Sequence, residues 1–482
     1  MLWAWVSADL IVLCRTVAMG TPLAPFIVKG ATVHSQNLKK QNPFERLLSI
    51  FAPVHSGEGF TSVLLMVDVF LLLTAYYIIK PVREALILGE LGAEIKSYAG
   101  AGQALLFLFI VPVYGAVASR VNRVRLINGV TAFFISNLLI FYFLGQSDVH
   151  LGVVFFLWVG LFNLMLIAQF WAFANDIYTH EQGKRLFAII GIGSSLGGIF
   201  GARLAGGLFK PLGPYAMMLV TAALLSVCIV LTTWIHHREK LALAGRITRK
   251  PEDLKLPRSC GFSLVFKSRY LLLIAMLVLL SNFVNTTGEF ILGKAVAQHA
   301  REAVGAAGAA SEEAYIGKFY ADFFFWVNVV SGALQMFAVS RIIKRFDIRP
   351  ALFFLPLIAF GSYTLLAFVP VLSFIRLAKI AENSTDYSIQ NTARHALFLP
   401  TNRQSKYKAK TAIDSFFWRA GDALSALLVF LGTRLAFDSR NFALVNIVLV
   451  CVWLSVAYSL TRIDRRSDEE PSSSAEVQPE AA

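Results

Sequence analysis

Apolar residues fill stretches of roughly 20 positions, one after another, from Phe60 to Leu460. That is the length of a helix that crosses a bilayer. The stretches are continuous and do not alternate polar and apolar, which excludes a closed β-barrel. They predict membrane-spanning helices near 60–79, 97–118, 126–144, 151–174, 186–209, 213–235, 270–293, 319–339, 350–369, 371–398, 411–433 and 441–460. The expected fold is therefore an all-α membrane protein of twelve transmembrane helices. The longest polar break, His236 to Ser268, divides them into two six-helix halves. The organisation read from this is an extension at 1–50, a first half at 51–235, a basic loop at 236–268, a second half at 269–466 and a disordered acidic tail at 467–482.

Composition sharpens the class. Of 482 residues, 56% are hydrophobic and only 15% charged, against about 25% charged in soluble domains. The net charge of +14 is concentrated in alternate loops. Examples are Arg120, Arg123 and Arg125, Lys184 and Arg185, and Arg341, Lys344 and Arg345. The intervening short loops hold almost no Lys or Arg. The positive-inside rule then predicts that both termini and the central loop are cytoplasmic, in a multi-pass inner-membrane protein. Four scattered cysteines without a CxxC pair, and eight histidines without HExxH, support neither a disulfide framework nor a metal site. No cofactor, no nucleic-acid partner and no enzymatic nucleophile–base pair is expected; the lipid bilayer is.

The halves repeat. Ser119-Arg120 matches Ser340-Arg341 after spans 2 and 8, an offset of 340 − 119 = 221. "THEQGK" from Thr179 matches "TNRQSK" from Thr401 after spans 4 and 10, an offset of 401 − 179 = 222. Two near-equal offsets in equivalent loops argue for a duplicated six-helix unit. Parallel repeats of this kind resemble the plan of the major facilitator superfamily (MFS), which implies a solute site between the halves near mid-membrane. "GAVASRVNR", Gly115 to Arg123, resembles that superfamily's loop 2–3 motif, with Ser119 in place of its Asp.

Charges inside the spans are the candidate chemistry. A charge at the centre of a membrane helix costs about 2.5–3.5 kcal/mol on insertion scales, so it faces a partner or a wet cavity. Asp68 lies mid-span 1. At 100° per residue Arg83 lies about 60° from it around the helix, and Tyr76, Lys80 and Arg83 share a face. Pro81 predicts a kinked or broken turn there. Lys80 and Arg83 either face the bundle interior or snorkel to the surface. Span 10 places Arg376, Lys379, Glu382, Asn383, Asp386, Gln390 and Arg394 within about 120° of arc, leaving Leu377 and Ile380 outside it. Such a stripe lines a solute path or forms an ion-pair seam. Asn282, Asn285, Thr286 and Glu289 interrupt span 7; Asp414, Arg419 and Asp422 interrupt span 11. In span 5, Gly193, Gly197 and Gly201 follow the small-xxx-small rule for close helix packing. Gly191-x-Gly193 has no βαβ context for a dinucleotide loop. Arg203 on the same helix is a candidate internal cation.

"QFWAFANDIYTHEQGKRLFAIIGIGSSLGGIFGAR" from Gln169 and "KYKAKTAID" from Lys406 resemble the non-mitochondrial ATP/ADP antiporters of plastids and obligate intracellular bacteria. "IIKPVREAL" and "TGEFILGK" are similar to that family's span 1 and span 7 segments. The chain reads as a divergent bacterial relative. The resemblance implies that Arg83 stands for the functional lysine of span 1 and Glu289 for the span 7 glutamate. Asn163 stands where the family has a span 4 glutamate, and Arg419 is the cation nearest its span 11 lysine. The function expected is secondary-active transport of an organic anion, a nucleotide first, by alternating access and as a monomer. Lys80, Arg83, Arg203, Glu289, Lys379 and Arg419 are the substrate-binding candidates. Asp68, Glu382, Asp386, Gln390 and Asp422 are candidates for charge balance or coupling. The alternatives are a proton-coupled symporter or exporter of another solute, and a non-transporting scaffold.

Overall fold

The computed structural model describes residues 43–49, 52–118, 121–147, 149–243, 261–305, 308–346, 348–398, 401 and 409–463. The expectations for residues 1–42, Ser119-Arg120, 244–260, Arg403 to Lys408 and the tail at 467–482 lie outside them. Among the described residues there is no strand. The helices are α1 (Pro43–Leu48), α2 (Gly59–Glu90), α3 (Gly92–Ala118), α4 (Arg123–Leu144), α5 (Gly152–Ile177), α6 (His180–Leu243), α7 (Gly261–Lys267), α8 (Arg269–Val304), α9 (Ala309–Ala333), α10 (Val339–Phe346), α11 (Ile348–Ala351), α12 (Phe354–Phe368), α13 (Leu372–Thr385), α14 (Asn391–Ala396), α15 (Lys410–Ala412), α16 (Trp418–Arg434) and α17 (Ser439–Arg462). Short π-helical turns at Leu334–Ala338, Asp386–Gln390 and Ile413–Phe417 join α9 to α10, α13 to α14 and α15 to α16.

Among the described residues, ten helical segments are long and apolar enough to cross a membrane. One of them, Arg185–Glu239, has 55 residues, which would measure about 80 Å if straight against a hydrocarbon core of about 30 Å. It turns at Gly213, whose φ of 71° belongs to the left-handed region that glycine alone enters freely, and so makes two crossings. The segment from Leu372 to Phe398 is too charged to count as apolar, yet it is helical along most of its length. These add the two crossings needed for twelve.

Local signals explain several boundaries. Asn122 caps α4 by accepting from the Val124 N–H at 3.1 Å. Asp438 caps α17 through the Asn441 N–H at 2.8 Å, and Ser268 caps α8. Short polar side chains at these positions satisfy donors that the first helical turn leaves orphaned. The expected break at Pro81 is absent: α2 runs through it to Glu90. Span 1 is therefore 11 residues longer than the apolar stretch ending at 79 (90 − 79).

The chain folds into two compact units. One comprises the described parts of Met1–Leu86, Val111–Thr248 and Glu313–Val329; the other those of Ile87–Ile110, Arg249–Glu312 and Val330–Ala482. In the first, α6 packs on α2 through the glycine stripe. A Cβ at Gly193, Gly197 or Gly201 would overlap the backbone carbonyls of Met66, Phe70 and Thr74 respectively. Both series advance by four residues, so the helices meet turn for turn. At one end of this unit Leu48, Ala52 and Val54 are buried with Leu186 and Ile189. The segment that precedes span 1 thus packs against the start of span 5. In the second unit Gly421 lets α16 approach α8, since a Cβ there would stand 2.9 Å from the Leu279 carbonyl oxygen. Large apolar side chains such as Phe109, Phe143 and Leu377 are exposed, as a lipid-facing surface requires.

Candidate functional site

The second unit holds a charged network at the meeting of α8, α12 and α13. Lys379 is completely buried. Its Nζ lies 3.0 Å from Glu382 Oε2, 2.9 Å from Asn285 Oδ1, 3.3 Å from the Asn285 carbonyl and 3.8 Å from Glu289 Oε1. Asn383 donates to Glu289 Oε1 at 3.0 Å. The Tyr363 hydroxyl lies 3.1 Å from Glu382 Oε2 and 3.2 Å from the Val284 carbonyl. Gly288 leaves the space in which these groups meet. A Cβ there would overlap the Tyr363 hydroxyl and come within 2.9 Å of Lys379 Nζ. Within the span 10 stripe, Lys379 and Asn383 thus pair with Asn285 and Glu289 of span 7, while Lys379 also pairs with Glu382 on its own helix. Leu377, predicted to lie off the stripe, is 64% exposed. Asp386 opens the π-helical turn, and both amide atoms of the buried Gln390 lack a hydrogen-bond partner. π-Helical turns shift the register of a helix face and recur at functional sites.

A second cluster joins α8 to α16. Asp422 accepts from Asn282 Nδ2 at 2.7 Å, from Thr286 at 3.0 Å and from Arg419 Nη1 at 3.0 Å. The Arg419 guanidinium also lies 4.6 Å from the Phe107 ring. Asn282 thus serves the span 11 carboxylate and the Trp418 carbonyl.

In the first unit the span 1 cations sit inside a continuous helix, among aromatic rings. Lys80 is 8% exposed, and its Nζ lies 3.8 Å from the Phe324 ring centroid and 5.3 Å from that of Tyr77. A snorkelling lysine would be exposed at a helix end, so that alternative does not describe Lys80. Arg83 pairs with Glu84 and lies 4.8 Å from the Phe156 ring. Its counter-ion is thus its own neighbour. Asp68, fifteen residues earlier on α2, is about 22 Å away along the axis and is held by Thr232 at 3.1 Å. Arg203, expected inside, is exposed, with its guanidinium 6.0 Å from Phe325.

Sequence reading missed Tyr363, Gly288, Phe324 and Phe156. A lone tyrosine hydroxyl in the apolar span 9 is a usable signal, because a buried phenol seeks a partner. The two phenylalanines carry no such mark among 40.

Membrane crossings that hold buried, paired charges define the class as a multi-pass membrane protein. The chain matches the Major Facilitator Superfamily over residues 65–381 and belongs to that superfamily. It is similar to ADP,ATP carrier protein 1 of Chlamydia muridarum, 25% identical over 346 residues, a match spanning 62% of this chain and 63% of the relative. With ADP,ATP carrier protein 1 of Chlamydia pneumoniae the identity is 22% over 88% of this chain and 95% of the relative. Among solved structures, a bacterial homologue of the iron transporter ferroportin in an inward-facing state superposes with a TM-score of 0.59 at 14% identity, covering 84% of this chain and 99% of that one. The nucleoside transporter NupG superposes at 0.56 with 13% identity, covering 83% and 98%. These likenesses speak to the fold.

Proposed function

We propose that the protein exchanges nucleotides of the ATP/ADP type across the inner membrane by alternating access between halves 51–235 and 269–466, with both termini cytoplasmic and the monomer as the working unit. The observation that carries this reading is the placement of Lys80 and Arg83 inside span 1 among Tyr76, Tyr77, Phe324 and Phe156. Arg offers a planar, two-pronged donor set that suits phosphate oxygens, and aromatic faces suit a purine. Arg83 is neutralised by Glu84, so an entering phosphate has a carboxylate to displace. Full-length similarity to a Chlamydia ADP,ATP carrier supports the same substrate class. Lys379, Glu289 and Arg419 supply further charge in the second half.

Uptake of labelled ATP, ADP and inorganic phosphate into proteoliposomes, with and without internal nucleotide, tests the reading. Internal nucleotide should stimulate uptake. Arg83→Ala should abolish it at matched membrane insertion, and Arg83→Lys should retain part of it. ATP uptake by Arg83→Ala at the wild-type rate would remove Arg83 from the site.

A further inference from the structure

A small cavity lies between α8, α12, α13 and α17, and its polar side is formed by Ser281, Asn285, Glu382, Asp386 and Trp453. It has room for about one water molecule, so it is no part of a nucleotide site. Two of its lining groups are deeply buried and lack a partner. Glu382 Oε1 accepts no hydrogen bond, and the Trp453 indole N–H donates none. These residues are 3% and 1% exposed. An acceptor and a donor left in this way on one water-sized cavity are what a single bridging water would satisfy.

The charges around the cavity are unbalanced. Span 10 supplies Lys379, Glu382 and Asp386, and α8 supplies Glu289. α12 brings the Tyr363 hydroxyl; α17 brings Asn446 and Trp453, neither of which titrates. Lys379 faces Glu382 at 3.0 Å and Glu289 at 3.8 Å, and Asp386 feels the positive charges of Arg394 and Lys379, so two cations stand against three carboxylates. Arg394, two turns beyond Asp386 on α14, is hydrogen-bonded to Asn391 and lies 4.9 Å from the Trp418 ring. Excess negative charge inside a membrane is relieved by taking up a proton. A metal cation fits poorly here, because the indole N–H and the nearby ammonium both repel it, and Asn285 Oδ1 is already engaged by Lys379.

We propose that this cavity is a proton-binding site in which Glu382 and Asp386 share one proton through a single bound water. Hydronium from the aqueous phase gives its proton to a carboxylate oxygen; an O–H bond forms there and water is released. Protonation weakens the nearest of the charges that hold Lys379, leaving Asn285 and Glu289, and so makes the ammonium more available to an anionic group. Proton and anion would enter together. This second step rests on the anion-transport reading above, whereas proton binding does not.

The test uses the full chain in liposomes without any solute. Infrared spectra recorded across a pH titration should show a carboxylic-acid carbonyl band that disappears as pH rises. Glu382→Gln should lose that band. Trp453→Phe, which keeps the ring packing but removes the N–H, should shift its midpoint. A titration identical in wild type, Glu382→Gln and Asp386→Asn, all correctly inserted, overturns the site. In a second arm, proteoliposomes loaded with a pH-sensitive dye and with ADP receive external ATP. Acidification of the lumen in wild type, and its loss in Glu382→Gln, is the expected result. ATP uptake without any lumenal pH change overturns the coupling. A titrating band lost in Glu382→Gln, together with no ATP uptake, supports the proton site and sinks the nucleotide reading instead.

Discussion

Lys379→Met isolates the worth of the seam between spans 7 and 10. The substitution keeps the length and the apolar stem of the side chain and removes the ammonium. Glu382 then loses its 3.0 Å partner, and Asn285 loses contacts at 2.9 and 3.3 Å. Removing one partner of a buried pair costs about 3–5 kcal/mol, because the other charge is left uncompensated. Glu382→Gln alone should cost less, since Lys379 keeps Asn285 and has Glu289 at 3.8 Å. In the double variant neither charge is left alone, and the loss should return to within about 1–2 kcal/mol of wild type, as for buried pairs replaced together. The double-mutant cycle should therefore show non-additivity of about 2 kcal/mol or more. The assay is unfolding in detergent, read as a midpoint shift at fixed protein and detergent concentration. Two single variants that each cost under about 1 kcal/mol and simply add would mean that the pair is not coupled, and the seam argument would fall.

The glycine stripe gives a packing test: Gly197→Leu should prevent α6 from seating on α2 at Phe70 and greatly reduce folded yield, whereas Gly207→Leu, where a Cβ meets nothing within 4 Å, should express normally. Equal yields would show that the crossing is not close. Just before span 1, burial pushes the Glu58 carboxyl up, but hydrogen bonds from Arg185, the His55 N–H and Gln182 outweigh it and hold the group below its ordinary value of 4.5. A depressed folded pKa contributes stability above the ordinary value and loses it as pH falls through the folded one. Glu58→Gln should thus be less stable than wild type at neutral pH, and the difference should close below about pH 4. A gap that stays constant down to pH 3 would remove the ion pair with Arg185 from the account.

Much of the fold was legible because a bilayer imposes one rule. A spanning helix needs about 20 mostly apolar residues, so most crossings could be read from hydropathy, the charged span 10 being the exception, and charges within them stood out. Lys379, Glu382 and Glu289 could be selected as a group for that reason. Their pairing could not be fixed. Asn282 of span 7 bonds Asp422 of span 11, a partner the sequence does not name, because which helix comes alongside a face is not encoded by the period of that face.

The sequence by itself determined the membrane class, the twelve crossings, the small-residue stripe and which spans carry charges. Each depends on local composition and on helical periodicity, which any window of the chain expresses. Only the tertiary structure decided that Glu84 balances Arg83 and that rings of spans 4 and 8 surround the span 1 cations. It also decided that Gly288 opens the gap in which Lys379 and Tyr363 meet, and that Trp453 closes a water-sized cavity against Glu382. These facts join residues up to 244 positions apart (324 − 80), and contacts at such range follow from how helices pack, which no periodicity within a single helix specifies.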